Sequence, residues 1–339
     1  MSKWTKVLTL MLVCVFTLGL VVGCGGNQSK DGEQSENPAD SEQSSFKVAL
    51  ITEGAVNDGG WNALALKSLK AIEEQYGAET AYTEKVQRAQ MEQVMRTYAR
   101  QGFNVIFGHG FQFSEPMETV AKEFPEITFI PVNGYTMGDN LFSTNFKFGE
   151  LGYFTGMTAG LITKSNKVGV VAAMEAPTVT ADVDTFKEGV KKVNDQAEVL
   201  VSYVGSWEDI PKAKEAAQAQ LSKGADVILV MGNSFSIGVF QAAEAAGAYS
   251  IGWVDDQSSM SKSVITCGLQ DVSSLYLQMA GLAKEGKLEA GQIYNFGMKD
   301  NKSQNLSPFS DAVPKEVQDQ VMKEMQDYLD GKLNLDLKY

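Results

Sequence analysis

From residue 46 to residue 254, short apolar runs alternate with longer segments whose apolar positions recur at helical spacing. FKVALIT (46–52) predicts a strand, and LALKSLKAIEEQYG (64–77) predicts an amphipathic helix closed by Gly77. AETAYTE (78–84) follows, then a helix over MEQVMRTYARQG (91–102) and a strand over NVIFGHG (104–110). A further helix, EPMETVAKEF (115–124), leads to the strand ITFIPVN (127–133). The order is βαβαβα, the pattern of a parallel sheet covered by helices on both faces.

The rhythm then restarts. FGELGYFTGMTAGLIT (148–163) predicts a helix, KVGVVAA (167–173) a strand, and 182–194 a second helix. The strand EVLVSYV (198–204), the helix PKAKEAAQAQLSKG (211–224) and the strand ADVILVM (225–231) come next. The helix SIGVFQAAEAAG (236–247) and the strand YSIGWV (249–254) complete the set. The blocks GFNVIFGHG and GADVILVMG run near-parallel, so the second half repeats the architecture of the first rather than its sequence. Beyond 255 the pattern is mixed: a strand VITCGL (264–269), a helix (273–286), a strand QIYNFGM (292–298) and a terminal helix (314–331). Late segments of this kind are expected where two lobes exchange crossing strands. The expected division is 46–145 plus about 257–290 for the first lobe, and 146–256 plus about 291–339 for the second.

The beginning of the chain has a different character. Lys3 and Lys6 precede an apolar run from Val7 to Val22, followed by Gly23 and Cys24. A basic start, an apolar segment and small residues at its end describe a secretory signal peptide. About 16 apolar residues fall short of the roughly 20 that a transmembrane anchor needs. Cys24 after Val-Val-Gly resembles the lipobox of bacterial lipoproteins, which implies cleavage before Cys24, a lipid on it, and an extracytoplasmic, membrane-anchored protein. Residues 25–45 carry almost nothing apolar and are expected to act as a flexible tether. With Cys14 lost in the signal and Cys24 lipidated, Cys267 has no partner, and no disulfide framework is expected.

Composition then narrows the function. The net charge is −13, or −15 once Lys3 and Lys6 leave with the signal, which repels phosphate backbones and disfavours nucleic acid. Catalysis finds little support. His109 is the single histidine of the chain, so any Ser-His-Asp or Cys-His arrangement must pass through it. No Cys/His cluster has metal-ligand spacing, and no cofactor is expected. Gly281 to Lys287 fits G-x4-G-K, but Leu288 stands where a Ser or Thr would hold magnesium. The stretch also ends a helix rather than opening one. Gly108-His109-Gly110 lacks the third glycine of a dinucleotide fingerprint, where Phe113 stands.

Binding is better supported. Ligands of open α/β sheets lie outside the carboxyl ends of the strands. There the chain places Asn57, Asp58 and Trp61 after the first strand, and His109, Phe111 and Phe113 after the third. Ser206, Trp207 and Asp209 follow EVLVSYV; Asn233, Ser234 and Phe235 follow ADVILVM; Asp255, Asp256 and Gln257 follow YSIGWV. Ring faces with a few convergent polar groups suit a small molecule.

KVALITEGAVNDGGWNALALKSLKAI, VGSWEDIPKAKEAAQAQLSKGADVIL and GVFQAAEAAGAYSIG, with the signal-plus-Cys start, resemble the basic membrane protein family. Its members are substrate-binding lipoproteins of ABC transporters, of the purine nucleoside receptor A type. The resemblance implies a type I periplasmic-binding-protein fold: two Rossmann-like lobes with parallel sheets, joined by crossing hinge strands. It implies a monomer that captures a purine base or nucleoside and hands it to an ABC permease. The aromatic pair that clamps the base falls on Trp61 and Trp207, and the carboxylate after the first strand on Glu53. Two positions depart from the family. Val254 stands where the family carries an Asp, with Asp255 and Asp256 following, and Gln270 stands near a family Lys. Both family residues hold the ribose, so a free base or another flat heterocycle stands beside a nucleoside. Asp255 would serve after a one-residue shift. A sugar or other solute, or a sensor role on the same fold, is the alternative.

Overall fold

The computed structural model describes residues 45–337; the signal-like run, Cys24 and the tether up to residue 44 lie outside the described residues. Its central strands are apolar on both faces, because each is buried from both sides. In β1 (Lys47–Thr52), Val48 and Leu50 face one core while Ala49 and Ile51 face another. That split follows from the two-residue period of a strand. The first core is closed by α1 (Trp61–Tyr76) and α8 (Val272–Lys284), through Leu69, Ile72, Leu275 and Met279. The second is closed by α2 (Met91–Arg100) and α3 (Ser114–Ala121), through Met91, Met95, Met117 and Val120.

Around β1 lie β2 (Glu79–Thr83), β3 (Val105–His109), β4 (Thr128–Val132), β5 (Thr144–Phe146) and β11 (Tyr294–Phe296). The sheet order is β2-β1-β3-β4-β5-β11, and every pairing is parallel. The second sheet repeats this plan. It runs β7 (Glu198–Tyr203), β6 (Lys167–Ala172), β8 (Val227–Met231), β9 (Tyr249–Val254), β10 (Val264–Gln270) and β12 (Gln304–Leu306). Its pairings are parallel except that β12 is antiparallel to β10. Val227, Leu229 and Met231 of β8 join the core under α4 (Glu150–Ile162), α5 (Pro177–Val193) and α9 (Lys315–Leu329). Ile228 and Val230 join the core under α6 (Ile210–Ser222) and α7 (Ser236–Ala245). Two doubly wound α/β sheets of this kind are the type I periplasmic-binding arrangement expected above.

Three differences from the sequence expectation concern late or short segments. β5 and β12 have three residues each, too few for a period to show. α5 begins at Pro177 rather than near 182, because proline is well placed in a first helical turn where its missing N–H is not needed. The lobe assignment after 256 also differs. β10 pairs with β9 and so belongs to the second sheet, while α8 from the same stretch packs on α1 of the first. β11 then returns to the first sheet, and β12 and α9 to the second. Periodicity reports which side of a strand is buried, not which sheet it joins.

Among the described residues the chain therefore crosses between sheets three times, at 147–149, at residue 271 and at 297–303. These crossings are bonded to one another. Lys147 N donates to Phe296 O at 2.8 Å, and Asp271 N donates to Ser303 O at 2.7 Å. The fully buried Glu150 sits among them. Tyr328 Oη donates to its Oε1 at 2.5 Å, while Met298 N and Gln304 Nε2 donate to its Oε2 at 2.7 and 2.8 Å. Burial raises the Glu150 carboxyl above the usual range, against the pull of these donors.

Candidate ligand-binding cleft

In a sheet ordered 2-1-3-4-5, the switch point lies between the first and third strands, and ligands bind outside their carboxyl ends. Both sheets have that order, so their switch points, β1/β3 and β6/β8, are where loops should meet a ligand. A cavity of about 840 Å³ lies there, lined from both sheets. That volume is in the range of small-molecule sites. Glu53, Trp61, His109, Phe111 and Gln112 line it from the first lobe, and Met174, Trp207, Glu208 and Asn233 from the second.

The loop after β1 is shaped by its own polar groups. Gly59, at φ +66°, makes the turn into α1. Asp58 then anchors the helix start. Its Oδ1 accepts from Gly60 N and Ala63 N, both at 3.0 Å, and its Oδ2 from Asn62 N at 3.1 Å and Asn62 Nδ2 at 2.8 Å. A carboxylate at a helix N-terminus satisfies otherwise orphaned N–H groups and complements the helix dipole. Asp58 therefore serves the fold and does not line the cavity, contrary to its expected ligand role. Asn57 is exposed and likewise outside the lining.

Trp61 opens α1 with its ring half-buried in the cleft. One indole face stacks on His109, with centroids 4.0 Å apart and planes inclined by 21°, and Phe146 meets it edge-on at 6.4 Å. At most one face of Trp61 is thus available to a ligand. His109 is held from both ring nitrogens: Nε2 donates to the Trp61 carbonyl at 2.9 Å, and Tyr276 Oη donates to Nδ1 at 2.9 Å. A carbonyl can only accept, so Nε2 carries the proton. Burial lowers the His109 pKa to about 3, the Trp61 carbonyl opposing it, and the ring is neutral at ordinary pH. His109 forms the floor beneath Trp61 rather than an acid–base group.

On the second lobe, Trp207 lies in the loop after β7, where Ser206 Oγ accepts from Glu208 N and Asp209 N. Asp209 caps α6 by accepting from Lys212 N at 3.0 Å. Asn233 N donates to the Trp207 carbonyl at 3.1 Å, tying the loops after β7 and β8 together. The lips of the two lobes meet. A Cβ on Gly54 would lie 3.2 Å from Glu208 Oε1, and one on Gly60 would lie 3.6 Å from Asn233 Cα. Phe111 of the first lobe packs against the core of the second.

Three more expected residues stand elsewhere. Phe235 is fully buried in the core under α7, its ring beneath Gly232, because an aromatic at the first turn of a helix has an apolar sheet to cover. Asp255 and Asp256 are exposed in a turn, where Asp255 Oδ1 accepts from Asp256 N and Asp256 Oδ1 from Ser258 N. The one-residue shift that would bring Asp255 to the site is not what the backbone adopts. Val254 lines the cavity instead, at φ +74°. A β-branched residue in that region is strained, and such strain clusters at functional sites. Gln270, buried at the end of β10, lines the cavity too.

Several lining residues lay outside the sequence reading. Asn133 follows β4 and could have been found by the strand-end rule that selected its neighbours. Gln112 donates from Nε2 to Glu53 Oε2 at 2.6 Å. Phe148 and Trp253 add apolar wall, and Lys85 and Arg88 add cations, Arg88 being paired with Glu115 at 2.5 Å. Asp182 comes from inside α5, where no strand-end signal exists. It is 2% exposed, and burial pushes its carboxyl up to about 7. A raised folded-state pKa stabilises the fold fully below the unfolded value and loses that contribution as pH rises through the folded value. In urea titrations without ligand, Asp182→Asn should therefore gain on the wild type as pH rises from 4 to 8, by on the order of 4 kcal/mol. A stability difference independent of pH would refute this. Among the described residues, no group of three or more His, Cys, Asp or Glu side chains is placed to hold a metal ion.

Comparison with known proteins agrees with this geometry. Residues 45–334 match the family described as Bmp, ABC transporter substrate-binding protein PnrA-like. The chain is 29% identical over 323 residues to the transcriptional activator protein Med of Bacillus subtilis, covering 94% of this chain and 96% of that one. It is 28% identical over 269 residues to a purine-binding protein of Brucella abortus, covering 78% and 76%. Among solved structures, a transcriptional activator of the comK gene from Bacillus halodurans superposes with TM-score 0.75 at 30% identity, over 85% of this chain and 99% of that one.

Proposed function

This chain belongs to the Bmp family of PnrA-like ABC transporter substrate-binding proteins, and we propose that its cleft captures a purine base or nucleoside for delivery to the permease of an ABC importer. The observation that carries the proposal is the pair of cleft-lining indoles, Trp61 on one lobe and Trp207 on the other. Aromatic faces on opposite walls suit a flat ring, and each stacked face contributes roughly 1–3 kcal/mol. Glu53, Asn233 and Gln270 supply hydrogen-bonding groups around it. The three bonded crossings are where closure about the ligand would hinge. Cys24 would carry the lipid that holds the protein, as a monomer, at the outer face of the membrane.

A neutral amide at Gln270 and an apolar side chain at Val254 leave the ribose end of the cleft without the family's charged pair, which favours the free base over the nucleoside. The name purine-binding protein on the Brucella relative supports the same class of ligand. The name transcriptional activator on other relatives does not redirect the reading to DNA, since a net charge of −13 repels a phosphate backbone. Calorimetry with adenine, guanine, hypoxanthine, xanthine and their nucleosides tests the proposal, and binding to at least one of them is the expected result. No heat of binding across the whole panel would overturn it. A sugar identified by mass spectrometry in the purified protein would establish the alternative solute.

A further inference from the structure

Asp182 has one oxygen committed and one idle. Its Oδ1 accepts from Gly149 N at 2.6 Å, at the end of the first crossing, and from Gly152 N at 3.3 Å, in the first turn of α4. Oδ2 has no hydrogen-bond partner among the described residues, although the side chain is 2% exposed and lines the cavity. Among the described residues no cation is paired with it: the charged neighbour acting on it is Glu150, whose negative charge opposes ionisation. A carboxylate oxygen left without a partner, on a side chain that lines a cavity, calls for a donor, and an ionised carboxylate can do nothing but accept.

Building on the heterocycle reading of the cleft, we propose that Asp182 Oδ2 accepts a hydrogen bond from an N–H of the bound ring system. Asp182 is then a specificity-determining residue, and the cleft selects ligands that present a ring or exocyclic N–H at that point. A single oxygen is free, so the contact is one charge-assisted bond rather than a bidentate pair. With Glu53 and Glu208 in the cavity, the same carboxylate disfavours phosphorylated or carboxylated ligands, opposed by Lys85 and by Arg88, the latter already paired with Glu115. Through Oδ1, ligand contact reaches the N-terminus of α4, the element that leads out of the first crossing.

Binding then requires the ionised form of a carboxyl that is largely protonated in the free protein below pH 7. The other titratable groups facing the cavity are Glu53, Lys85, Arg88, Glu208 and the neutral His109, with Glu150 behind Asp182 on α4. Asp182→Asn separates its contribution from theirs, since an amide oxygen still accepts from Gly149 and Gly152.

The test is calorimetry from pH 5.5 to 8 with a purine that does not itself titrate in that interval, in two buffers of different ionisation heat. The wild type should lose close to tenfold in affinity per unit of pH below 7 and release a proton on binding at pH 6. Asp182→Asn should bind at least tenfold more weakly at pH 8 and lose both the slope and the proton release. Wild-type binding without proton release, or affinity that rises as pH falls, overturns the assignment of Asp182 as acceptor, and neither needs the variant to fold. With the wild type alone, methylating the contacted purine nitrogen should cost at least tenfold, and indifference to N-methylation at every position also overturns it. No binding across the purine panel defeats the heterocycle reading itself, an outcome distinct from purine binding that ignores Asp182.

Discussion

Gly189→Ala is expected to cost the protein more than about 3 kcal/mol, enough to remove much of the margin by which a domain stays folded. The reason is a seam where two helix backbones touch. A Cβ at 189 on α5 would stand 2.0 Å from Tyr153 O on α4, and a Cβ at Gly156 would stand 2.1 Å from Phe186 O. Gly152 faces Asp182 O in the same way, also at 2.1 Å. These neighbours are carbonyl oxygens, so no side chain can swing aside. The helices must part, and the buried Phe154, Met157, Val183, Phe186 and Val190 lose their packing as they do. Gly247→Ala is the control. That glycine has φ +66° with nothing near the added methyl, so its cost is backbone strain of about 1 kcal/mol. Urea unfolding of both variants measures the difference. A Gly189→Ala protein within about 1 kcal/mol of the wild type would show that the seam is looser than its geometry implies.

The second large effect concerns binding. Trp61→Ala and Trp207→Ala should each lower purine affinity at least tenfold, because losing a stacked ring face at about 1.4 kcal/mol or more corresponds to that factor. The double variant should lose close to the product of the two, since the indoles act from different lobes. Trp61→Phe should retain part of the affinity through the smaller ring. Removing the Trp61 indole also uncovers His109, whose depressed pKa comes first from burial. The His109 resonance of Trp61→Ala should therefore titrate at higher pH than in the wild type, which reports locally that the lid over the ring is gone. Unchanged affinity in both single variants would remove the indoles from the binding site.

Much of this protein was legible along the chain because its strands are short, apolar and separated by amphipathic helices. The bounds of β9 match their sequence reading, and those of β1, β3, β4 and β6 differ by a residue at one or both ends. The strand-end rule led to Trp61, His109, Phe111, Trp207 and Asn233, all of which line the cavity, as does Glu53, which the family resemblance supplied. It also selected Asn57, Asp58, Phe113, Phe235, Asp255 and Asp256, which do not; Phe113 is fully buried in the core under α2 and α3. A polar residue after a strand can face a ligand, cap the next helix or close a turn, and the sequence pattern is the same in each case. Asp58 shows the ambiguity best, since its four hydrogen bonds all go to the first turn of α1. An aromatic in the same place can be wall or core, as Phe111 and Phe235 show.

Residue type and spacing alone establish the repeated α/β plan, the acidic net charge, the lone histidine and the positions of the two cleft tryptophans. Those properties are local: they depend on residue type and on spacing within a dozen positions. The tertiary structure decided which sheet received β10 and which received β11, because a strand's burial pattern is the same in either. It decided that His109 is a neutral platform, since Tyr276 lies 167 positions away and only the fold brings its hydroxyl to the ring. It also brought Asp182 from the middle of a helix to the cavity wall, against the N–H groups of Gly149 and Gly152. No spacing rule reaches across that distance, because the contact exists only where glycines let α4 and α5 touch.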